Sequence, residues 1–374
     1  MKHIFAFVRK EFIQLRRDPR LITFIIMMPV VLFILFGLAL KLEPENVRMA
    51  YVDLDRSLFS DLIKTNIWSD GYFKLYEVKD KQTIIDEIRR GKAKAGLFID
   101  KDFSEKLTEN EQPWVKMYVD GTMPSLATAM DNKKGSITDE KVTNDMYFQD
   151  PDAEPVVIAA DPFKLDLEIL FNPDKHETWF FLPGIIGVLI MQIALILTST
   201  AIVRERENNT LEQVIVSPIT RTQFILGKTI PYVLIAFIDF YLILLLGWHI
   251  FDIPLPISQA LLLLLAVIYV TGLIAMGLAI STISQTQQQA IFISIFILIP
   301  SILLSGFIFP LEAMPAYIRP ISYILPFTYF VEIIRGLLLK MNTFMDLWVD
   351  YLALTGFAII FILVSIHQLE KNLE

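Results

Sequence analysis

Residues 179–203 read WFFLPGIIGVLIMQIALILTSTAIV, a stretch that contains no charged side chain. A helix needs about 20 consecutive apolar residues to cross the hydrocarbon core of a bilayer, so this stretch is predicted to be a transmembrane helix. Further apolar runs of similar length lie at residues 21–40, 224–250, 255–283, 290–309 and 347–367. The fold is therefore predicted to be mainly α, a six-span transmembrane helical bundle.

The overall composition agrees with a membrane protein. Of the 374 residues, 54% are hydrophobic and 20% are charged, and the mean hydropathy is +0.52. The chain has no cysteine, which excludes disulfides, thiolate metal sites and cysteine nucleophiles. The net charge of -8 argues against nucleic-acid binding, because such binding relies on a basic surface.

The first apolar run, residues 21–40, is interpreted as a retained span rather than a cleaved signal peptide. It is too long for a signal peptide, and Lys41, Glu43 and Pro44 follow it in place of a small-residue cleavage site. Residues 1–20 are predicted to form an amphipathic helix on the membrane surface rather than a soluble helix packed on a partner. Basic residues outnumber acidic ones there, which predicts a cytoplasmic N-terminus and, after six crossings, a cytoplasmic C-terminus. These basic residues are Lys2, Arg9, Lys10, Arg16, Arg17 and Arg20.

Residues 42–178 contain more acidic than basic side chains, as expected of a translocated segment. Short β-like runs alternate there with amphipathic helical stretches, which predicts an extracytoplasmic α/β domain inserted between spans 1 and 2. The predicted strands are residues 47–52, 73–78, 95–99 and 115–119, and the predicted helices are residues 57–68, 81–90 and 102–107. The polar residues 131–154 are compatible with either a mobile stretch or a long exposed helix.

Two features that resemble chemical sites are set aside. Gly227-Lys228-Thr229 matches the end of a phosphate-binding loop, but Thr222 stands where that loop needs its first glycine, and no strand precedes it. Four carboxylates near strand ends are interpreted as solvated residues rather than as a metal or acid–base site, namely Asp53, Asp55, Asp100 and Asp102. The chain is therefore assigned no catalytic residue, cofactor site or metal site, and any ATP must be hydrolysed by a separate subunit.

Residues 203–221 read VRERENNTLEQVIVSPITR. This stretch closely resembles the cytoplasmic loop of type-2 ABC exporter permeases, commonly written R-E-x-E-x-G-T-L-E-x-L-x-x-[ST]-P, with Asn209 in place of the usual glycine. The runs FNP at 171–173, FLPG at 181–184 and LPFTYFVEIIRG at 325–336 resemble further segments of the same family. The last pattern usually continues to Leu-Lys-Gly, whereas this chain has Leu339-Lys340-Met341.

The resemblance implies the permease subunit of an ATP-driven exporter in the inner membrane. Such a subunit moves its substrate out of the cytoplasm or inner leaflet by alternating access, and the apolar, aromatic-rich spans favour an amphipathic or drug-like substrate. The implied partners are two ABC ATP-binding subunits, which carry ATP and Mg, and a second copy of this permease or a homologous one; a periplasmic adaptor is left open. The resemblance places contact with the ATP-binding subunit at Arg204, Glu205, Arg206, Glu207, Thr210, Leu211, Glu212, Pro218 and Arg221. From the residues alone, an ordinary charged hairpin on the inner side is the alternative.

Three charged residues within or near the spans are further candidates. Asp239 lies inside the run at 224–250, where a charge is costly, and is interpreted either as an interhelical or dimer contact or as a residue that handles substrate or protons. Glu332 and Arg335 share a helical face and are predicted to neutralise each other, which is favoured over direct substrate contact. Two other functions stay open, a membrane-anchored receptor with an external ligand-binding domain and an ion-coupled transporter that uses Asp239.

The predicted organisation follows from these assignments. In order, the parts are an interfacial helix (1–20), span 1 (21–41), the α/β domain (42–178), span 2 (179–203), a cytoplasmic coupling loop (204–223), span 3 (224–251), span 4 (255–283), span 5 (290–309), a re-entrant outer segment (310–346), span 6 (347–368) and a cytoplasmic tail (369–374). The outer segment is too broken by proline to form one span.

Overall fold

The structure is a computed structural model of the chain. It describes residues 5–6, 8–10, 13, 47–69, 73–109, 111–123, 126–128, 130–131, 163–208, 221–308, 311, 314 and 319–372. The predicted first span at 21–40 and the polar residues 132–154 lie outside the described residues. The chain divides into two compact units, one formed by Met1–Leu40, Phe181–Phe309 and Ala316–Glu374, and the other by Lys41–Phe180 and Pro310–Pro315.

The second unit contains a five-stranded sheet with helices, which confirms the predicted α/β region. Its strands are β1 (Val47–Asp53), β2 (Phe73–Glu77), β3 (Ala95–Ile99), β4 (Trp114–Asp120) and β5 (Lys164–Leu170). Its helices are α1 (Leu58–Ser69), α2 (Lys81–Arg89) and α3 (Phe103–Thr108). The strand order is β2-β1-β3-β4-β5, with β1 parallel to β2 and β3, β3 antiparallel to β4, and β4 parallel to β5.

The core of this unit lies between α2 and the sheet. Ile84 and Ile88 project from α2 and are fully buried against Ala50 and Tyr118. Gly96 on β3 permits this contact, because a Cβ atom there would lie 2.0 Å from Cγ2 of Ile84. The helix can therefore approach the sheet closely only because β3 has no side chain at that point.

The other unit is helical. Its helices are α4 (Glu177–Glu207), α5 (Arg221–Phe251), α6 (Gln259–Ile283), α7 (Gln287–Leu304), α8 (Arg319–Ser322), α9 (Pro326–Leu338) and α10 (Phe344–Asn372). Among the described residues, α4, α5, α6, α7 and α10 are long and apolar enough to cross a membrane. These five overlap the predicted spans 2 to 6, so the described part of the chain accounts for five of the six expected spans.

Two of the boundaries that differ from the prediction have a clear local reason. Helix α6 begins at Gln259 rather than residue 255, because Pro254 and Pro256 precede it and the Ser258 side chain caps it by accepting from the Leu261 N–H at 3.3 Å. Helix α7 ends at Leu304 rather than residue 309, where the chain turns through Gly306 at a φ of 83°.

Helix α4 has the largest buried share of the five candidate spans, and two glycines bring aromatic rings close to it. A Cβ atom at Gly184 would lie 2.2 Å from the Phe307 ring, and one at Gly187 would lie 2.3 Å from the Phe330 ring. Tyr269 on α6 stacks on Phe330 with ring centroids 4.1 Å apart and donates its hydroxyl to the Gly187 carbonyl at 3.1 Å. The segments FLPG and LPFTYF, which are distant in sequence, therefore belong to one packed cluster.

Candidate functional site

The charged end of α4 is the candidate site. Helix α4 has 31 residues and is therefore about 46 Å long, well beyond the hydrocarbon thickness of about 30 Å. Its apolar part ends at Val203, and Arg204, Glu205, Arg206 and Glu207 form its last turn. We call these four residues the Arg/Glu cluster. The sequence assigned them to a loop, whereas the structure continues the helix through them.

Glu205 points into the protein and bonds to a lysine of the next helix. Its Oε1 atom lies 2.9 Å from Nζ of Lys228, which also donates to the Ala201 carbonyl at 2.7 Å. The side chains of Lys228 and Glu205 are only 3% and 7% exposed. Lys10, in the helical N-terminal segment, lies 3.4 Å from the same carboxylate oxygen. Glu205 thus links α4 to α5 and to the N-terminal segment.

The rest of the Arg/Glu cluster contacts the turn between α6 and α7. Arg206 donates through Nη1 to the Ser284 carbonyl at 3.1 Å, and Arg204 donates through Nε to the Gln287 side chain at 3.4 Å. Glu207 accepts the backbone N–H of Gln287 at 2.9 Å and also a bond from its side-chain amide. Because Gln287 begins α7, this carboxylate lies where the helix dipole favours a negative charge.

A layer of buried hydroxyl groups continues this contact into the apolar part of the bundle. The Ser281 hydroxyl on α6 accepts from the backbone N–H groups of Ile202 and Val203 at 3.0 and 3.3 Å. The Ser294 hydroxyl on α7 donates to the Ser199 hydroxyl at 3.0 Å. Since unsatisfied polar groups are costly in lipid, these bonds fix α4 against α6 and α7 next to the Arg/Glu cluster.

The structure therefore unites only part of the predicted contact set. Arg204, Glu205, Arg206 and Glu207 lie together on one turn, as described above. Thr210, Leu211, Glu212 and Pro218 lie outside the described residues. Arg221 begins α5, but its side chain is not among those described.

Lys228 and Gln287 were not predicted as parts of this site. The signal for Lys228 was present, because a lysine near the start of a long apolar run needs a buried partner or an exit to water. In the sequence, Lys228 was instead interpreted as one of the basic residues on the cytoplasmic side and as the end of an incomplete phosphate-binding loop. Nothing in the sequence indicates that Gln287 belongs to the site, because its bonds to Glu207 depend on the close approach of α4 and α7.

The three other candidate residues, Asp239, Glu332 and Arg335, differ in burial and in their hydrogen bonds. Asp239 is buried within α5, and its Oδ2 atom has no hydrogen-bond partner among the described residues. Arg335 donates to the carbonyls of Gly306 and Phe307, each at 3.0 Å. Glu332 is exposed. Arg335 thus bonds to the turn after α7, and its mutual neutralisation with Glu332 stays a prediction.

The carboxylates near the strand ends serve the structure of the α/β unit, although Asp53 is buried rather than solvated. Its Oδ2 atom accepts from the Ser60 hydroxyl and from Nζ of Lys64, each at 2.7 Å, and Oδ1 accepts from the Arg56 N–H at 3.0 Å. Burial alone would raise the pKa of Asp53, but these bonds outweigh it and lower that pKa below its ordinary value. Asp55 accepts from the N–H and hydroxyl of Ser104, at the start of α3.

The described residues do not offer a metal site of the usual kind. Among them, no group of three or more His, Asp or Glu side chains is placed to hold an ion. The polar contacts at the end of α4 are bonds between helices of the chain itself. These bonds hold the helix ends together.

Comparison with known proteins gives a consistent match over most of the chain. Residues 19–367 match the profile of the family described as "ABC-2 family transporter protein". The chain is 31% identical to the "Probable multidrug ABC transporter permease YbhR" of Escherichia coli K12 over 343 residues, 90% of each protein. It is 28% identical to the "Probable multidrug ABC transporter permease YbhS" of the same organism, covering 100% of this chain and 98% of that one. It is also 22% identical to "ABC transporter G family member 20" of Dictyostelium discoideum, covering 100% of this chain and 52% of the relative.

Proposed function

Since the chain belongs to the ABC-2 family of transporter proteins, we propose that it exports an amphipathic or drug-like substrate by alternating access. Its place as a permease subunit of an ABC transporter follows from the family and from the relatives that span its length. The proposed complete transporter has two ATP-binding subunits and a second permease, either another copy of this chain or a homologue. ATP and Mg would be bound by the ATP-binding subunits.

The observation that carries the mechanism is the path of α4. This helix runs from the apolar bundle to the Arg/Glu cluster, which contacts both α5 and the turn between α6 and α7. The segment 208–220 lies between α4 and α5 and contains four of the nine residues that resemble the ATPase contact, namely Thr210, Leu211, Glu212 and Pro218. A displacement of that segment would therefore act on several helices at once.

The proposed placement in the membrane follows from charge and chain direction. The N- and C-termini and the Arg/Glu cluster lie in the cytoplasm, and the α/β unit lies outside, between a first span at 21–40 and α4. The membrane is the cell inner membrane. The proposed substrate class rests on the apolar, aromatic-rich helices and on the names of YbhR and YbhS, which describe them as probable multidrug permeases.

The test is transport by purified components. The chain is reconstituted in proteoliposomes with the ATP-binding subunit of its transporter, and accumulation of the cationic dye Hoechst 33342 is followed on adding ATP. We expect accumulation that needs both proteins and disappears when the P-loop lysine of the ATP-binding subunit is changed to Ala. Hydrolysis of ATP by the purified chain alone, or equal accumulation without the ATP-binding subunit, would contradict the proposed function.

Asp239 favours a second candidate, transport driven by an ion gradient. A buried carboxylate with an unpartnered oxygen inside a candidate span is the kind of group that proton-coupled carriers use. This candidate predicts dye accumulation in proteoliposomes of the chain alone under an imposed pH gradient, and its loss in Asp239→Asn. If a pH gradient drives no accumulation, Asp239 is left with a structural role in the bundle.

A further inference from the structure

We propose that Glu205 and Lys228 are positioning residues that join α4 to α5 and pass motion on, and are not part of the surface that binds the ATP-binding subunit. This inference rests on the proposed function and deepens it, because it divides the Arg/Glu cluster into buried and surface parts. It also gives a role to Lys228, which neither the sequence motif nor the family resemblance includes.

Burial separates these two residues from the surface. The Glu205 and Lys228 side chains are 7% and 3% exposed, so they offer almost no area to another protein. Arg204 and Glu207, in the same helical turn, are exposed. Glu205 and Glu207 are both acidic residues of the motif, but only Glu207 is accessible to a partner subunit.

The ion pair also closes the segment that carries the motif. Residues 206–227 lie between its two members, and this interval contains every remaining residue of the proposed contact except Arg204. With the ion pair made, Nζ of Lys228 is held by both the Glu205 carboxylate and the Ala201 carbonyl. A push on the enclosed segment is therefore delivered to the last turn of α4 and the second turn of α5 as one body.

A buried ion pair is a poor source of stability, because the cost of removing two charges from water offsets much of their attraction. Its better attested use is to fix one arrangement over others. Lys10 extends that arrangement, since it lies 3.4 Å from the same Glu205 oxygen and comes from the N-terminal segment. Three parts of the chain thus meet at one carboxylate.

The experiment compares the single variants Glu205→Gln and Lys228→Met with the double variant in the reconstituted complex. Three quantities are measured: binding of the ATP-binding subunit, thermal unfolding of the chain, and dye molecules moved per ATP hydrolysed. Lys228→Arg is the conservative variant. Lys92→Met, which removes an exposed lysine paired with Glu87 in the α/β unit, is the control for loss of an ion pair elsewhere.

We expect the single variants to bind the ATP-binding subunit as the wild type does but to move about tenfold fewer dye molecules per ATP. Each leaves one buried charge uncompensated, so its unfolding temperature falls, and the double variant recovers it. Transport per ATP stays low in the double variant, because the two helix ends remain unlinked. Lys228→Arg retains transport, and Lys92→Met behaves as the wild type.

Two results would overturn the inference. If a folded variant no longer binds the ATP-binding subunit, the two residues belong to the contact surface. If the double variant recovers transport together with stability, the ion pair is only structural. If the single variants do not fold, transport by the double variant alone tests the inference. Normal transport by Lys10→Met would show that the contact from the N-terminal segment is not needed. Failure of the proposed function itself is distinguishable, because the wild-type complex would then show no ATP-dependent transport.

Discussion

Asp53 holds the end of β1 to the first turns of α1, so replacing it tests how much these bonds contribute to the stability of the α/β unit. We expect Asp53→Asn to destabilise this unit by about 2 kcal/mol, because Lys64 loses a charged partner and the Ser60 hydroxyl loses a strong acceptor. Asp61→Asn is the matched control, since Asp61 is also 2.7 Å from Lys64 but is exposed, and we expect about 0.5 kcal/mol or less. Hydrogen exchange of peptides from β1 and α1 in the full chain measures the loss of stability in both variants.

The pH dependence of this difference is a separate prediction. The folded pKa of Asp53 is lower than the unfolded value of about 3.9, so ionised Asp53 contributes its stabilisation fully above about pH 5. The stabilisation is lost as the pH falls below about 4 and through the folded pKa. The advantage of the wild type over Asp53→Asn should therefore shrink in acid. An advantage that stays constant down to about pH 3 would show that the Asp53 charge does not contribute.

Single residues mark what the sequence could and could not predict. The motif starting at Arg204 was recognisable, because charge pattern and spacing are properties of the sequence. The inward direction of Glu205 was not, because it depends on Lys228 reaching the same place from another helix. A sequence motif does not distinguish a buried carboxylate from an exposed one. The motif alone therefore assigned all of its charged residues to the surface that contacts the ATP-binding subunit.

Among elements, the α/β unit was the most predictable. The four predicted strands and three predicted helices each agree with the structure to within one residue at either end. Strand β5 was missed, although Leu165, Leu167 and Ile169 alternate with charged residues as a half-buried strand requires. Its place beside β4 could not be predicted, because a long polar segment separates the two strands in sequence.

The packing of α4 against α9 gives a prediction at the element scale. Gly187→Ala should lower stability by about 1–3 kcal/mol, because the new methyl group would lie 2.3 Å from the Phe330 ring in a tightly packed cluster. Gly356→Ala is the matched control in α10, where a Cβ atom meets nothing within 4 Å. Since Ala is a better helix former than Gly, that variant should be neutral or slightly more stable. Thermal unfolding of the purified variants in detergent measures both, and equal losses would contradict the role of Gly187.

In the whole molecule, burial differs strongly among the candidate spans. Helix α4 is largely buried among its neighbours, whereas only a small share of the residues of α7 and α10 is buried and several of their large apolar side chains are exposed. Exposed apolar surface of this extent is compatible with lipid or with another membrane subunit, but not with water. The sequence predicted that these helices are apolar. Hydropathy alone does not give the burial of a span, because α5 and α10 have the same mean hydropathy of 2.2 and yet differ twofold in their buried share, 44% against 22%.

The placement of the molecule across the membrane can be tested because the chain has no cysteine, so that any introduced thiol is the only reactive one. Residues 171–176 join β5 to the start of α4, while Gln287 contacts Glu207 at the other end of this helix of about 46 Å. Glu109→Cys, in the α/β unit, and Gln288→Cys, beside that contact, both replace exposed residues, so both thiols can react. Since α4 is proposed to cross the membrane, we predict that the two thiols lie on opposite sides of the bilayer. In spheroplasts, a membrane-impermeant maleimide should label Glu109→Cys at once and Gln288→Cys only after permeabilisation. Immediate labelling of both would mean that α4 does not cross the membrane, and the reverse order would place the Arg/Glu cluster outside, where no ATP-binding subunit could reach it.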